Sequence, residues 1–155
     1  MPDIHELPEK LVVGIGTRTR NELEADPATS TISDLWSRFF AENIGGQVPN
    51  PMPQPVLYGV YTDYESDQDG AYTLVVGMES SEAAELPGAL LAARIHPGRY
   101  MVFQRNGSMP DVAFRTWQEV WNYFDENDDY ERAYTTDFEQ YVDENGITIY
   151  IAIKD

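Results

Sequence analysis

Residues 133–155 read AYTTDFEQYVDENGITIYIAIKD. Asn145-Gly146 stands between two runs rich in β-branched and aromatic residues, which is a strong hairpin signal because a type I′ turn needs positive φ at both central positions. A two-residue loop at this pair sets the register of the two strands. The opposite pairs in that register are Glu144 and Ile147, Tyr141 and Tyr150, Glu139 and Ala152, and Phe138 and Ile153.

The predicted register also sorts the side chains of the hairpin into two faces, because successive residues of a strand point to opposite sides. One face holds Asp137, Glu139, Tyr141, Thr148, Tyr150 and Ala152, and the other holds Phe138, Val142, Ile147, Ile149, Ile151 and Ile153. Glu139 would then lie beside two phenols and opposite a small alanine. We hypothesise that Glu139 is the anionic floor of a pocket for a cationic, partly aromatic small molecule. Which face the helices cover stays open at this point.

The composition limits the classes of function. The chain has 155 residues, enough for one domain with one sizeable core, and carries 10 Lys and Arg against 27 Asp and Glu, a net charge of -17. This charge would repel a phosphate backbone and favours cationic ligands, and the alternative reading of the same charge is plain solubility. The absence of cysteine excludes disulfides, thiolate catalysis and cysteine-ligated metal.

The amino terminus, MPDIHE, has neither the basic region nor the apolar region of a secretion signal. No later apolar run approaches the roughly 20 residues of a membrane span. The sequence therefore predicts a soluble, cytosolic protein with no membrane partner.

The first part of the chain is predicted to contain a strand, a helix and a hairpin. The predicted elements are a strand at 11–20, a helix at about 31–43, a Pro-rich loop at 48–55, and strands at 56–64 and 71–79 that turn at Asp69-Gly70. Thr31 and Asp34 have the spacing of a capping box ahead of apolar residues at helical spacing. The glycines of the Gly14-Ile15-Gly16 motif indicate a place where a neighbouring backbone comes close.

The second part repeats the same order of elements. A short strand or extended segment at 90–95 and a strand at 100–105 precede a helix with Asp111 as its N-cap, and the hairpin follows. LWSRF at 35–39 resembles VWNYF at 120–124, and YTDYE at 61–65 resembles TTDFE at 135–139. The sequence thus predicts one α+β domain, residues 1–155, with half-repeats at about 10–80 and 90–155, pseudo-twofold symmetry and a mostly antiparallel sheet.

The segments that carry the repeat also carry a family resemblance. YGVYTDY at 58–64, WQEVWNYF at 117–124, DFE at 137–139 and IYIAIK at 149–154 together resemble the GyrI-like small-molecule-binding (AraC-type effector-binding) superfamily. Within it, the chain is most similar to stand-alone integron-cassette effector-binding proteins. The resemblance implies duplicated βαββ (SHS2-like) halves, a curved sheet with two main helices, and a pocket in which an acidic residue takes cationic amphipathic compounds. In related transcription factors this domain is fused to a DNA-binding helix-turn-helix, an extension that we do not find in this sequence.

Eight residues are candidates for ligand binding. They are Glu139, which stands where the resemblance expects the pocket glutamate, and the aromatic residues Tyr141, Tyr150, Trp36, Trp117, Trp121, Tyr58 and Tyr100. A carboxylate in an apolar cavity either protonates or attracts a cation, and each aromatic face adds roughly 0.5–2 kcal/mol of cation–π attraction. The alternatives are a solvated sheet face for Glu139 and a place in the core for each tryptophan. Glu65, the counterpart of Glu139 in the repeat, is expected to be solvated.

Other constellations do not indicate a site. Residues 65–70 imitate half of a calcium loop, but Val76 stands where a bidentate glutamate is needed. His5 and His96 lack metal-ligand spacing, and the sequence has no nucleophile elbow or phosphate loop. We therefore predict no catalytic motif, metal or cofactor from residue patterns alone.

Three functions remain open. The first is a binding protein that senses or sequesters cationic, hydrophobic compounds without contacting nucleic acid directly. The second follows from the resemblance: some GyrI-like proteins hydrolyse cyclopropane-bearing genotoxins, for which Glu139 with a nearby Trp and Tyr would act as general base or position water. The third is a regulatory module whose acidic surface contacts a protein partner, such as a DNA-binding subunit or a basic enzyme; the oligomeric state is not predicted.

Overall fold

The computed structural model of the chain describes residues 3–26, 28–49, 56–66, 70–81, 86, 88, 90–108, 111–141 and 145–154. Eight strands and three α-helices lie in these ranges. They are β1 (Asp3–Leu7), β2 (Lys10–Thr19), α1 (Asn21–Glu24), α2 (Ile32–Ala41), β3 (Leu57–Thr62), β4 (Tyr72–Glu79), β5 (Leu91–Ile95), β6 (Gly98–Asn106), α3 (Asp111–Glu126), β7 (Arg132–Tyr141) and β8 (Gly146–Ile153), with a 3₁₀ turn at Ile44–Gln47.

The strands form one curved antiparallel sheet in the order β1-β6-β8-β7-β3-β4-β2-β5. The unit β2-α2-β3-β4 recurs as β6-α3-β7-β8, and the two units meet where β3 pairs with β7. The edge strands are exchanged between the units, since β1 pairs with β6 and β5 pairs with β2. The α+β class, the duplicated βαββ halves and the pseudo-twofold arrangement are thus confirmed.

The helices cover one face of the sheet, and the curled sheet encloses a second core on its other face. Under α2, Leu35 and Phe39 pack with residues of β2 and β4, and under α3, Val120 packs with the isoleucines of β8. The other face buries a separate cluster that includes Tyr58 and Phe138. Both faces therefore exclude water, and a polar side chain on either face needs partners.

The predicted hairpin exists, but its predicted register is wrong. In the structure Phe138 lies opposite Tyr150 and Glu139 opposite Ile149, a shift of three residues that moves Glu139 onto the isoleucine face, under the helices. Phe138 instead stacks on Tyr150 in the second core, with ring centroids 4.4 Å apart. The turn rule considers only local residues, whereas the register is set by apolar side chains that must be buried on both faces. Val142 and Glu144 lie outside the described residues.

The start of α2 also differs from the prediction. Thr31 makes no side-chain cap, and the carboxylate of Glu24 accepts hydrogen bonds from the amides of Thr31 and Ile32 at 2.9–3.1 Å. A glutamate from the preceding helix reaches both free amides and adds negative charge at the helix N-terminus, so the local capping box is replaced. The predicted turn at Asp69 and most of the Pro-rich loop lie outside the described residues.

Two smaller observations complete the fold. A Cβ on Gly14 would overlap the carbonyl oxygen of Val76, which confirms the predicted close approach of two backbones. Within the described ranges, no helix has the length and apolar character required to cross a bilayer.

Candidate ligand-binding site

Glu139 lies at the seam between the two repeats. It is on β7 directly opposite Gly59 of β3, and only 4% of its surface is exposed. A Cβ on Gly59 would come within 2.7 Å of the Glu139 Oε1 atom. The missing side chain on β3 therefore makes the space in which the carboxylate is held.

Three neutral side chains donate hydrogen bonds to this carboxylate. Oε2 accepts from the Tyr61 hydroxyl at 2.9 Å and from the Trp117 indole Nε1 at 2.6 Å, and Oε1 accepts from the Tyr141 hydroxyl at 2.9 Å. The donors come from β3, α3 and β7 respectively. The first repeat, helix α3 and the last hairpin thus fix one carboxyl group.

Burial dominates the electrostatics of Glu139. It raises the pKa of the carboxyl group, and the three hydrogen bonds, from Trp117, Tyr141 and Tyr61, offset only part of that effect. Burial and the nearby carboxylate also raise the pKa of the Tyr61 and Tyr141 hydroxyls, which therefore stay protonated and neutral. Among the described residues, no Lys, Arg or His side chain pairs with Glu139.

Asp137, two residues earlier on the same face of β7, is held in a different way. It is fully buried, and its carboxylate accepts from the Arg132 guanidinium at 2.7 Å, from the Tyr64 hydroxyl, and from the Ala152 amide at 2.8 Å. Arg132 in turn lies over the Tyr134 ring. The fold therefore supplies a cation to one of two neighbouring buried carboxylates and only neutral donors to the other.

Aromatic rings surround Glu139 on the helix-covered face. Trp36 and Tyr141 form a T-shaped pair with ring centroids 5.4 Å apart, and Tyr61 and Trp117 form another with centroids 5.1 Å apart. The ring centroids of Trp121 and Trp117 are 6.1 Å apart. The side chains available around the carboxylate thus present ring faces and edges, which suits a cation with aromatic groups.

The structure brings together Glu139 and four of the seven predicted aromatic residues: Tyr141, Trp36, Trp117 and Trp121. The other three lie on the opposite face, in or against the second core: Tyr58, Tyr100 and Tyr150.

Tyr150 donates to Gln140 at 3.1 Å, and the Gln140 amide donates to the Tyr58 hydroxyl at 3.2 Å. The Tyr100 hydroxyl donates to the carbonyl of His96 at 2.6 Å. The expectation that Tyr150 shares the face of Glu139 is wrong, because it depended on the incorrect register.

Sequence reasoning missed Tyr61 and Gly59. Both lie in the YGVYTDY segment, and their period-two spacing places them on one face of β3. The pairing of β3 with β7 joins residues about eighty positions apart, and no local rule predicts it. Glu65, in contrast, is exposed as expected. Within the described residues, no group of three or more His, Asp or Glu side chains is placed to hold a metal ion.

The chain matches the family model Cass2, integron-associated effector binding protein, over residues 3–153. It is 28% identical to the putative transcriptional regulator protein YobU of Bacillus subtilis, with 97% of this chain and 96% of YobU covered.

The solved structures similar to it include the following two. One is the integron cassette protein VCH_CASS2 from the mobile metagenome of Vibrio cholerae, at 35% identity and a TM-score of 0.86, with 98% of this chain and 95% of that chain covered. The other, SAV2435 bound to tetraphenylphosphonium, has 19% identity and a TM-score of 0.78, with 99% and 94% covered, and shows a shared fold. The chain therefore belongs to the integron-associated effector-binding protein family within the GyrI-like superfamily.

Proposed function

We propose that this protein binds cationic, hydrophobic small molecules at Glu139 and acts as a sensor or sequestering module for them. One observation carries the proposal: Glu139 is buried among aromatic rings with three neutral hydrogen-bond donors and, among the described residues, no cationic partner. Its neighbour Asp137 has Arg132. A cationic guest would supply to Glu139 the counter-charge that Arg132 supplies to Asp137.

The energetics favour a guest with a permanent, diffuse charge. Folding has already removed most water from the carboxylate, so binding a cation does not repeat that cost. Trp117, Tyr61 and Tyr141 already occupy much of the hydrogen-bonding capacity of the two oxygens. A phosphonium or quaternary ammonium group needs no hydrogen bond, and it gains from charge attraction and from the surrounding rings.

A structural neighbour and a relative of this chain support the proposal. SAV2435, which shares the fold, has been observed with tetraphenylphosphonium, a cation of this class. YobU is named as a putative transcriptional regulator, and the matched family is described as effector-binding. A role in which cation binding regulates transcription is consistent with both descriptions.

The test compares two ions of the same shape and opposite charge. Tetraphenylphosphonium and tetraphenylborate are titrated into the protein in a calorimeter at about 0.15 M salt, where long-range effects of the net charge are screened. We expect saturable one-to-one binding of the phosphonium and none of the borate at the same concentrations. Equal binding of both ions, or of neither, would contradict the proposal.

A second candidate function uses the same geometry. A carboxylate whose pKa is raised, with Tyr141 and Trp117 within hydrogen-bonding distance, could act as general base in the hydrolysis of a reactive electrophile. This alternative predicts turnover of a cyclopropane-bearing electrophile that is abolished in Glu139→Gln. Binding of such a compound with no product after prolonged incubation would leave the binding function alone.

A further inference from the structure

Phe40 is an exposed aromatic residue attached to the wall of the candidate site. It lies on α2, one turn after Trp36, and 62% of its surface is exposed. The two rings are stacked, with centroids 6.1 Å apart and planes inclined by 22°. The Phe40 ring also meets the ring of the buried Phe39 at 5.4 Å, but most of the side chain stays in solvent.

A continuous series of aromatic contacts joins Phe40 to the buried carboxylate. The Trp36 ring, which stacks on Phe40, meets Tyr141 edge to face at 5.4 Å, and the Tyr141 hydroxyl donates to Glu139 Oε1. The series starts at a desolvated anion and ends at the protein surface after two steps between rings. The series therefore offers ring contacts all the way from the carboxylate to solvent.

Other exposed apolar residues lack this connection. Among the described residues, the exposed large hydrophobic side chains are Phe40, Leu91 and Phe114. Phe114 lies on α3 and is also 62% exposed, but within the described part of the chain its ring contacts no other ring. Phe114 therefore serves as a matched control for the chemistry and exposure of Phe40.

We propose that Trp36 and Phe40 form an outer aromatic subsite that binds a second ring of a ligand whose cationic group pairs with Glu139. The inference rests on the proposed function and narrows its ligand class to cations that carry an extended aromatic group of at least two rings. Trp36 also contacts Tyr141 beside Glu139, so changing it would disturb the binding of every cation. Phe40 is therefore the residue that tests the preference for a second ring.

The size of the effect follows from ring contacts. One favourable aromatic pair changes affinity by roughly two- to twelvefold. Removing the Phe40 ring leaves no cavity in the core, since the side chain is mostly in solvent, so Phe40→Ala is expected to fold. A thermal melt of each variant checks this before titration.

The experiment compares two ligands that differ by one ring. Benzyltrimethylammonium and its 4-phenyl derivative are titrated into wild type, Phe40→Ala and Phe114→Ala. In wild type the second ring should tighten binding roughly two- to twelvefold. In Phe40→Ala this gain should disappear while the affinity for benzyltrimethylammonium is unchanged, and Phe114→Ala should behave as wild type.

The outcomes separate this inference from the proposal on which it rests. If both ligands bind but the gain from the second ring persists in Phe40→Ala, or is absent in wild type, the outer subsite is refuted and cation binding stands. If Phe40→Ala weakens both ligands equally, Phe40 supports the helix and forms no subsite. If neither cation binds wild type saturably, the proposed function fails as well.

Discussion

Replacement of Glu139 by glutamine would remove the charge at the centre of the site while keeping nearly the same shape. The amide oxygen of glutamine can still accept from Tyr61 and Trp117, and the Tyr141 hydroxyl can turn to accept from the amide nitrogen. The change in cation affinity therefore measures charge more than geometry.

The expected loss can be worked out from the placement of the carboxylate. A cationic centre about 5 Å from it, at an effective dielectric constant of about 20, is attracted by about 3 kcal/mol. Competition with the proton, favoured by the raised pKa of Glu139, reduces this at neutral pH. We expect a net loss of about 2–3 kcal/mol, or roughly 30- to 150-fold in the dissociation constant for tetraphenylphosphonium.

The assay is isothermal titration at about pH 8, where Glu139 is more fully ionised. The control is Glu65→Gln, which changes the net charge by the same amount at an exposed position. Affinities of both variants within about threefold of wild type, the size of a surface-charge effect, would refute the role of Glu139 as counter-charge.

Three further predictions concern stability and the shape of the site. Because the pKa of Glu139 is raised in the folded protein, its protonation stabilises the fold below the ordinary value of 4.5, and this contribution is lost as pH rises through the folded pKa. The difference in unfolding free energy between wild type and Glu139→Gln, measured by urea denaturation without ligand, should therefore fall with rising pH; a flat difference would contradict the raised pKa. Gly59→Ala places a Cβ 2.7 Å from the Glu139 carboxylate. The variant should therefore lose about 1–3 kcal/mol of unfolding free energy and bind cations at least tenfold more weakly. Titration curves identical to those of wild type would show that binding does not need the space left by Gly59. Arg132→Met leaves Asp137 buried without its cation and should cost about 3–5 kcal/mol in urea denaturation, of which the added change Asp137→Asn should recover a large part; no recovery would mean that packing, not charge, causes the loss.

The spacing of apolar residues and the internal repeat were sufficient to predict the architecture from the sequence. The helical spacing of apolar residues around Trp36 and Trp117 predicts both main helices. The same order of elements in the two parts of the chain predicts a sheet built from two βαββ units. β1 at the amino terminus was not predicted, because its short polar sequence, DIHEL, gains its place only by pairing with β6.

The site could be predicted only in part. Glu139 was identified from its strand position and from the resemblance. The side chains that surround it, however, depend on pairing between strands that are far apart in the sequence. The predicted register was wrong by three residues, so it placed Tyr150 beside Glu139 where the structure has isoleucines. Tyr61 was missed because β3 and β7, which pair in the sheet, are distant in the chain. The predicted register had implied that Ala152 leaves room for the carboxylate, but the space that the carboxylate occupies comes from Gly59.

The most direct measurement of the central claim is an NMR titration of the Glu139 carboxyl carbon in protein labelled at its glutamate side chains, with Glu139→Gln to assign the signal. Without ligand, the pKa of this carboxyl group should lie above 4.5 because of burial. Saturating tetraphenylphosphonium should lower this pKa by about 1.5–2.2, the equivalent of a charge attraction of about 2–3 kcal/mol. An identical pKa with and without the bound cation would show that the ligand does not pair with this carboxylate.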